Sequence, residues 1–119
     1  MATFTKNHLS GSTDGRMIKV AQTATAGTTI HTGPTNTAYF HEVWLYAVNS
    51  DTTDRKLTIE WGGTSAPDDL IEFTVKAENG LYLIVPGLVL QGNATPLVVR
   101  AFAASANVIN IAGYVNEIA

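Results

Sequence analysis

Clusters of turn-forming residues divide this sequence at short intervals and constrain its fold more than any other feature. Each cluster combines Gly, Pro, Asn, Asp or Ser, which favour tight turns and interrupt regular elements. The clusters are residues 10–15, 25–27, 32–36, 49–54, 62–69, 78–80, 91–96 and 105–107. The intervals between them leave room for strands of ordinary length but for no long helix.

The segments between the turns are of strand length and are rich in Val, Ile, Thr and aromatic residues. None carries the sustained 3.6-residue period of an amphipathic helix. The candidate strands are residues 16–22, 28–32, 40–49, 55–61, 70–77, 81–90, 97–104 and 108–118. This pattern predicts an all-β fold, a single-domain antiparallel β-sandwich of about eight strands with a jelly-roll-like arrangement.

Length and composition are typical of one packed domain. Of the 119 residues, 45% are hydrophobic and 14% are charged, which favours a folded chain with a single core. We expect the sandwich domain to span residues 16–119 and residues 1–15, which are rich in Ser and Thr, to form a flexible N-terminal arm. This arm is either disordered or ordered by a neighbouring subunit, which Phe4 and Leu9 would contact.

The segment 55–61 alternates between polar and apolar residues and ends immediately before two glycines. Its apolar positions are Leu57, Ile59 and Trp61, and its polar positions are Lys56, Thr58 and Glu60. Because successive side chains of a strand point to opposite faces, the apolar set is predicted to face the core and the polar set to face water. Trp61 would then close one end of the core, and Gly62 and Gly63 would turn the chain.

The dipeptide Asn79-Gly80 is a turn signal between the candidate strands 70–77 and 81–90. Asn-Gly readily adopts the backbone angles of a two-residue hairpin loop. We therefore predict a tight hairpin that joins these two strands.

Two candidate strands, residues 42–49 and 80–92, are apolar on both faces. A small sandwich covers one face of each strand, so the second face needs another cover. A subunit interface, the N-terminal arm and a long loop are the alternatives. Aromatic residues are enriched in interface cores, and Trp44, Tyr46 and Tyr82 are therefore the candidate residues of an oligomer interface.

The sequence contains no recognisable catalytic or metal-binding pattern. The histidines, His8, His31 and His41, are not spaced as metal ligands on a strand or helix, and motifs for nucleophilic catalysis or phosphate binding are missing. Asp68 and Asp69 lack the spaced acidic positions of a calcium loop, so a solvated turn is expected there. We predict a protein that is not an enzyme, with no catalytic residue, no cofactor and no metal site.

Charge and hydropathy exclude two further classes of partner. The formal net charge is −3, and the seven basic residues are scattered along the chain, whereas nucleic-acid binding requires clustered Lys and Arg. No apolar run is long enough to span a bilayer, and residues 1–15 lack the apolar core of a secretory signal. We therefore expect no nucleic-acid partner, no membrane partner and synthesis in a cytoplasm.

Residues 40–118 combine EVWLYAVN, a polar connection, KLTIEWGG, LYLIVPGLVLQG and a closing VINIAGYVNEI, without cysteine and with many Thr residues. This pattern resembles that of small structural proteins encoded among the head genes of tailed bacteriophages. The resemblance is to capsid decoration or cement proteins. These commonly form β-sandwich or jelly-roll trimers on the outside of the shell, where they bridge major-capsid subunits. No functional residue carries over by motif.

The resemblance implies a structural virion protein, made in the host cytoplasm, that binds the outer surface of a phage head and stabilises it. Its partners would be the major capsid protein and copies of itself in a homotrimer. Two alternatives remain open. A receptor- or carbohydrate-binding module of a phage tail or fibre would place aromatic and Asp or Asn residues in loops at one end. A head-closure or tail component would also be all-β and oligomeric.

Overall fold

A computed structural model describes residues 2–119, which form nine strands in two sheets. The strands are β1 (Phe4–His8), β2 (Ile18–Lys19), β3 (Thr28–Thr32), β4 (Phe40–Asn49), β5 (Arg55–Trp61), β6 (Leu70–Val75), β7 (Tyr82–Gln91), β8 (Val98–Ala103) and β9 (Ile109–Ile118). No helix lies within the described residues. The structure confirms the predicted all-β, single-domain β-sandwich.

The connections between the strands are those of a jelly roll. The first sheet has the order β1-β9-β4-β7, with β2 also paired to β9, and the second sheet has the order β3-β8-β5-β6. The chain therefore pairs as nested antiparallel couples, β2 with β9, β3 with β8, β4 with β7 and β5 with β6. A long hairpin that pairs in this way and wraps around one core is a double-sheet jelly roll.

Apolar side chains from both sheets fill the space between them. In β4 the buried residues alternate with partly exposed ones along the whole strand. Val43, Leu45 and Ala47 contribute the core-facing set of the first sheet, and Leu57 and Ile59 of β5 contribute to that of the second, all with no exposed surface. Each sheet therefore has one core face and one outer face, as the alternation in the sequence predicts.

The N-terminal segment is part of the sandwich. Strand β1 pairs with β9 at the edge of the first sheet, from Phe4 opposite Ile118 to His8 opposite Tyr114. Leu9 belongs to the core of its own chain, whereas Phe4 is 68% exposed. The domain boundary predicted after residue 15 therefore lies inside the fold. All five side chains of β1 are exposed. The sequence of this segment therefore has no alternation of apolar and polar residues that would indicate a strand.

The predicted hairpin at Asn79-Gly80 is wrong. Strand β6 pairs with β5 and strand β7 pairs with β4, so this turn carries the chain from the second sheet to the first. Glu78 and Gly80 have positive φ values of 52° and 75°, which reverse the chain locally. The local turn signal is real, but a hairpin also requires that its two strands pair with each other.

The core-facing side of β5 agrees with the prediction. Leu57 and Ile59 are buried, and Trp61 packs against the core at the end of the strand, where it is partly exposed. Gly62 has a positive φ of 78°. Gly63 instead allows a close approach, because a Cβ atom there would lie 2.4 Å from a carboxylate oxygen of Asp69. Gly62 is thus favoured by its backbone conformation, whereas Gly63 is favoured by the position of the Asp69 side chain.

The opposite side of β5 differs from the prediction. Lys56 is exposed as expected, but Thr58 and Glu60 are 3% and 0% exposed. The cause is the connection between β2 and β3, which lies over this part of the second sheet. Glu60 accepts a hydrogen bond from the backbone N–H of Gly27 at 2.7 Å and another from the hydroxyl of Thr25 at 2.5 Å.

Candidate functional site: the outer face of the first sheet

The first sheet presents a largely apolar outer face, which we define by the side chains of β1, β9, β4 and β7 that point away from the core. Directly paired residues of neighbouring strands lie on the same side of a sheet, so these side chains form rows. The mostly apolar rows are Phe4, Ile118, Phe40 and Gln91, then His8, Tyr114, Trp44 and Pro86, then Ala112, Tyr46 and Leu83. The row between the first two is mostly polar and consists of Lys6, Asn116, Glu42 and Val89.

Two aromatic rings occupy the middle of the outer face. The rings of Trp44 and Tyr114 are nearly parallel, with an interplanar angle of 12° and a centroid distance of 6.1 Å. The ammonium group of Lys6 lies 4.6 Å from the centroid of the Tyr114 ring, a cation–π geometry. These contacts hold the two rings against the sheet as a rigid patch.

A carboxylate fixes the orientation of Trp44. One oxygen of Glu42 accepts hydrogen bonds from the indole N–H of Trp44 at 2.8 Å and from the side-chain amide of Asn116 at 2.9 Å. The bond from Trp44, and then the bond from Asn116, lower the pKa of Glu42 because they stabilise its ionised form. The outer face thus keeps one negative charge beside its aromatic centre.

Gly87 on β7 makes room for the Trp44 ring. Its φ is 77°, and a Cβ atom at this position would lie 2.9 Å from Cζ2 of Trp44. We expect Gly87→Ala to lower the free energy of unfolding by about 2 kcal/mol, because it adds both backbone strain and displacement of the ring. Urea unfolding and tryptophan fluorescence would measure the two effects.

Gly80 supplies the matched control for this prediction. Its φ is 75°, but a Cβ atom there would meet no other atom within 4 Å. Gly80→Ala should therefore cost only the backbone strain, about 1 kcal/mol, and leave the fluorescence unchanged. Equal losses in the two variants, with the same emission spectrum, would contradict the packing of Trp44 over Gly87.

The outer faces of the two sheets differ in polarity. On the first sheet, Phe4, Val89 and Leu83 are 68%, 51% and 46% exposed. The outer face of the second sheet carries an ion pair between Lys56 and Glu72, and the connection between β2 and β3 covers another part of it. An exposed apolar face of this extent typically marks contact with another molecule, so the first sheet holds the candidate site.

The structure places two of the three predicted interface residues together. Trp44 and Tyr46 lie on the outer face of the first sheet, but Tyr82 pairs with Ala47 on the core side of β7. There it packs against Phe73 of the second sheet, with the ring centroids 5.8 Å apart. Irregular pairing between β4 and β7 interrupts the alternation of β7, which is why sequence periodicity misplaced Tyr82.

Several residues of the outer face were not identified from the sequence. They are Tyr114, Ile118, Phe40, Leu83 and Val89. The sequence contains a signal for Tyr114 and Ile118. In the candidate strand 108–118 each lies two residues from the polar Asn116, so alternation places all three on the same face. No local signal indicates that β9 lies beside β4, since sequence neighbours of β9 belong to the second sheet.

A buried polar cluster lies apart from the outer face. The backbone N–H of Ser10 donates to Nδ1 of His31 at 3.0 Å, Nε2 of His31 lies 2.7 Å from Nδ1 of His41, and Nε2 of His41 lies 2.9 Å from a carboxylate oxygen of Glu117. A metal ion requires donors that converge on one point, whereas these donors form a line. Burial, and secondarily the neighbouring His41, lower the pKa of His31 to about 4.

Two further findings concern residues 2–119. No three side chains of His, Cys, Asp or Glu among them lie close enough together to hold a metal ion. These residues form no helix that is long and apolar enough to cross a bilayer.

Asp69, which follows Asp68 in the loop before β6, accepts a hydrogen bond from the backbone N–H of Ser65 at 3.0 Å.

Comparisons with models of protein families, with curated proteins and with solved structures found no match to this chain. The jelly-roll fold and the outer face of the first sheet are therefore the observations from which a function is inferred.

Proposed function

We propose that this chain is a capsid decoration protein: a structural virion protein, made in the host cytoplasm, that binds the outside of a phage head and stabilises it. The apolar outer face of the first sheet is the observation that carries the proposal. Apolar surface of this extent on a small domain is explained if another protein covers it. The jelly roll, which is common among viral capsid proteins and also occurs in lectins, is compatible with this role.

In this proposal, copies of the chain bury the outer face of the first sheet against one another in a homotrimer, and other surfaces contact the major capsid protein. The dimensions of the face show how much of the contact it can supply. Strand β4 has ten residues, so the face is about 33 Å long and, over four strands, about 19 Å wide. The resulting area of roughly 600 Å², before side-chain relief is added, is shared between two neighbours in a trimer. Surfaces beside the face therefore also contribute to an interface of roughly 800 Å² per partner.

The test places a charge on the outer face. Leu83 is 46% exposed, so Leu83→Glu should leave the fold intact in far-ultraviolet circular dichroism. In a homotrimer this carboxylate would be desolvated, so we expect the variant to be a monomer in light scattering at a concentration where the unmodified protein is a trimer. We also expect it to lose cosedimentation with phage particles that lack this protein.

Thr74→Glu is the matched control, because Thr74 is an exposed strand residue on the outer face of the second sheet. This variant should remain trimeric. Unmodified protein that is a monomer at micromolar concentration and never binds the particles would refute the decoration role. If the Leu83→Glu variant is still a trimer, the assignment of the interface to this face is refuted.

A carbohydrate-binding module of a phage tail or fibre is the second candidate. The specific observation in its favour is the pair of parallel rings, Trp44 and Tyr114, beside the polar groups of Glu42 and Asn116. Sugars stack on such rings through their apolar faces and bond to adjacent carboxylate and amide groups. Binding on a glycan array that Trp44→Ala abolishes, by a protein that does not bind capsids, would favour this candidate.

A further inference from the structure

The buried polar cluster connects three parts of the fold through one line of hydrogen bonds. Ser10 belongs to the N-terminal segment, His31 to β3 of the second sheet, and His41 and Glu117 to β4 and β9 of the first. His31 and His41 are 3% and 8% exposed. The line therefore spans the two sheets at the place where the N-terminal segment leaves β1.

The hydrogen bonds determine where the protons lie when both imidazoles are neutral. The N–H of Ser10 donates to Nδ1 of His31, so that nitrogen is unprotonated and the proton of His31 is on Nε2. Nε2 then donates to Nδ1 of His41, and the proton of His41 is on Nε2, where it donates to Glu117. All donors point in one direction, and each ring nitrogen has one partner.

An added proton breaks this line, because neither imidazole has a second acceptor. If His41 is protonated, both of its nitrogens donate, so Nε2 of His31 must become an acceptor. The proton of His31 then moves to Nδ1, where it opposes the N–H of Ser10 and the bond to the N-terminal segment is lost. A second proton, on His31, places two N–H groups head to head across 2.7 Å between the sheets.

The groups around the two imidazoles offer few acceptors or negative charges that could stabilise an added proton. Within their own sheets, His31 is paired with Val99 of β8 and His41 is paired with Leu90 of β7. Glu117 of β9 faces His41, and on β1 its paired residue is the uncharged Thr5. On the N-terminal segment, His8 is exposed and contacts the carbonyl of Leu9 at 3.0 Å. Glu117 thus places a carboxylate beside His41, whereas the apolar surroundings of His31 oppose a charge there.

We propose that the line from Ser10 through His31 and His41 to Glu117 is an acid-sensitive latch, and that protonation of its imidazoles releases residues 2–10 from the sandwich. The N-terminal segment lies at an edge of the first sheet. The side chains of β1 are exposed, and the strand pairs with β9 alone. Beyond that pairing, the segment is held by two backbone hydrogen bonds between Thr3 and Ala119 and by Lys6 over the Tyr114 ring. Leu9 in the core and Ser10 also hold it, and the Ser10 hydroxyl accepts a hydrogen bond from the N–H of Thr32 at 2.7 Å.

The pKa of His31 is lowered to about 4 from an ordinary value of 6.5, and this shift determines how the stability of the latch depends on pH. The folded state binds this proton less readily than the released state does. The stabilisation is therefore fully present above about pH 6.5 and is lost as the pH falls toward about 4. Release would remove Phe4 from the outer face of the first sheet and expose the edge of β9.

Nuclear magnetic resonance between pH 7.5 and 4 tests the latch on the full chain. At pH 7.5 the imidazole ¹⁵N signals should show protonated Nε2 and unprotonated Nδ1 in both His31 and His41. As the pH falls through 6.5 to 4, the cross-strand contacts between β1 and β9 should disappear while those between β4 and β9 persist. A protonated Nδ1 on His31 at pH 7.5, or contacts of β1 that persist at pH 4, would overturn the proposal.

Two substitutions separate this latch from general acid sensitivity. Glu117→Gln removes the carboxylate that lies 2.9 Å from Nε2 of His41 but keeps a hydrogen-bond acceptor, so a positive charge on the line loses its counterion and release should shift to lower pH. His8→Gln removes a histidine outside the line and should leave the midpoint of release unchanged. Equal midpoints in both variants, or loss of all sheet contacts in one step, would also overturn it. This outcome is independent of whether the protein binds capsids.

Discussion

Replacing Glu60 with alanine is expected to lower the free energy of unfolding by about 3 kcal/mol. The Glu60 side chain has no exposed surface, and it accepts hydrogen bonds from the N–H of Gly27 and the hydroxyl of Thr25. Without the carboxylate, the partly buried N–H of Gly27 has lost its acceptor and a cavity remains beneath the connection between β2 and β3. A donor left without an acceptor and a cavity each cost on the order of 1–3 kcal/mol.

The close packing of the connection makes this loss difficult to relieve. A Cβ atom at Gly27 would lie 2.4 Å from the backbone oxygen of Ala101 in β8, so the chain rests directly on the second sheet. It can move outward but cannot sink into the space that the carboxylate vacates. We therefore expect Glu60→Ala to expose the segment 22–27 to proteolysis as well as to destabilise the fold.

Glu60→Gln is the matched control, because glutamine has almost the same shape and keeps one acceptor for the N–H of Gly27. It should cost about 1 kcal/mol, since an amide group replaces one of the two oxygens that accept hydrogen bonds. Urea unfolding of both variants, followed by circular dichroism, measures the difference. If glutamine proves as harmful as alanine, the hydrogen bond from the N–H of Gly27 does not stabilise this region.

Replacing Trp61 with alanine should cost about 3 kcal/mol. Trp61 packs against the core at the end of β5, where it covers the space between the sheets next to Leu57 and Ile59. Truncation of a core aromatic typically costs about 3–5 kcal/mol, and the partial exposure of Trp61 places it at the low end. A small domain has only about 5–15 kcal/mol of stability, so this single change should lower the melting temperature clearly.

Trp44→Ala provides the comparison within the same chain. Trp44 lies on the outer face of the first sheet and contacts Tyr114 and Gly87 rather than the core. We expect this substitution to cost about 1 kcal/mol in the monomer and to weaken self-association if the proposed trimer forms. Trp61→Ala should cost more stability in the monomer and leave self-association unchanged. A loss below about 1 kcal/mol for Trp61→Ala would contradict its assignment to the core.

The local parts of the fold could be predicted from the sequence. The candidate strands from residue 28 onward coincide with β3 to β9 to within a few residues, because turn residues and β-branched residues act on their own neighbourhood. The alternation in β4 correctly places Trp44 and Tyr46 on one face, since the two-residue period of a strand depends on its backbone alone. Two side chains of the outer face, Trp44 and Tyr46, were thus predictable.

Pairing between distant strands determined the features of the fold that the sequence did not predict. Asn79-Gly80 forms a turn in both the prediction and the structure, but whether it closes a hairpin depends on β5 and β4, which compete for β6 and β7. Likewise, β1 has no apolar period and exists because the edge of β9 is available to it. Tyr82 reaches the core side because the irregular pairing of β7 shifts its alternation.

By itself, the sequence determined an all-β sandwich, the positions of most strands and the inward face of β5, because these properties depend on residues within a few positions of one another. Only the tertiary structure decided that Glu60 is buried, since its cover comes from residues 22–27. It also decided that His31 and His41 meet Glu117, which is 76 positions from His41. Contacts of this kind depend on how the jelly roll wraps, and local propensity contains no information about which distant segments will meet.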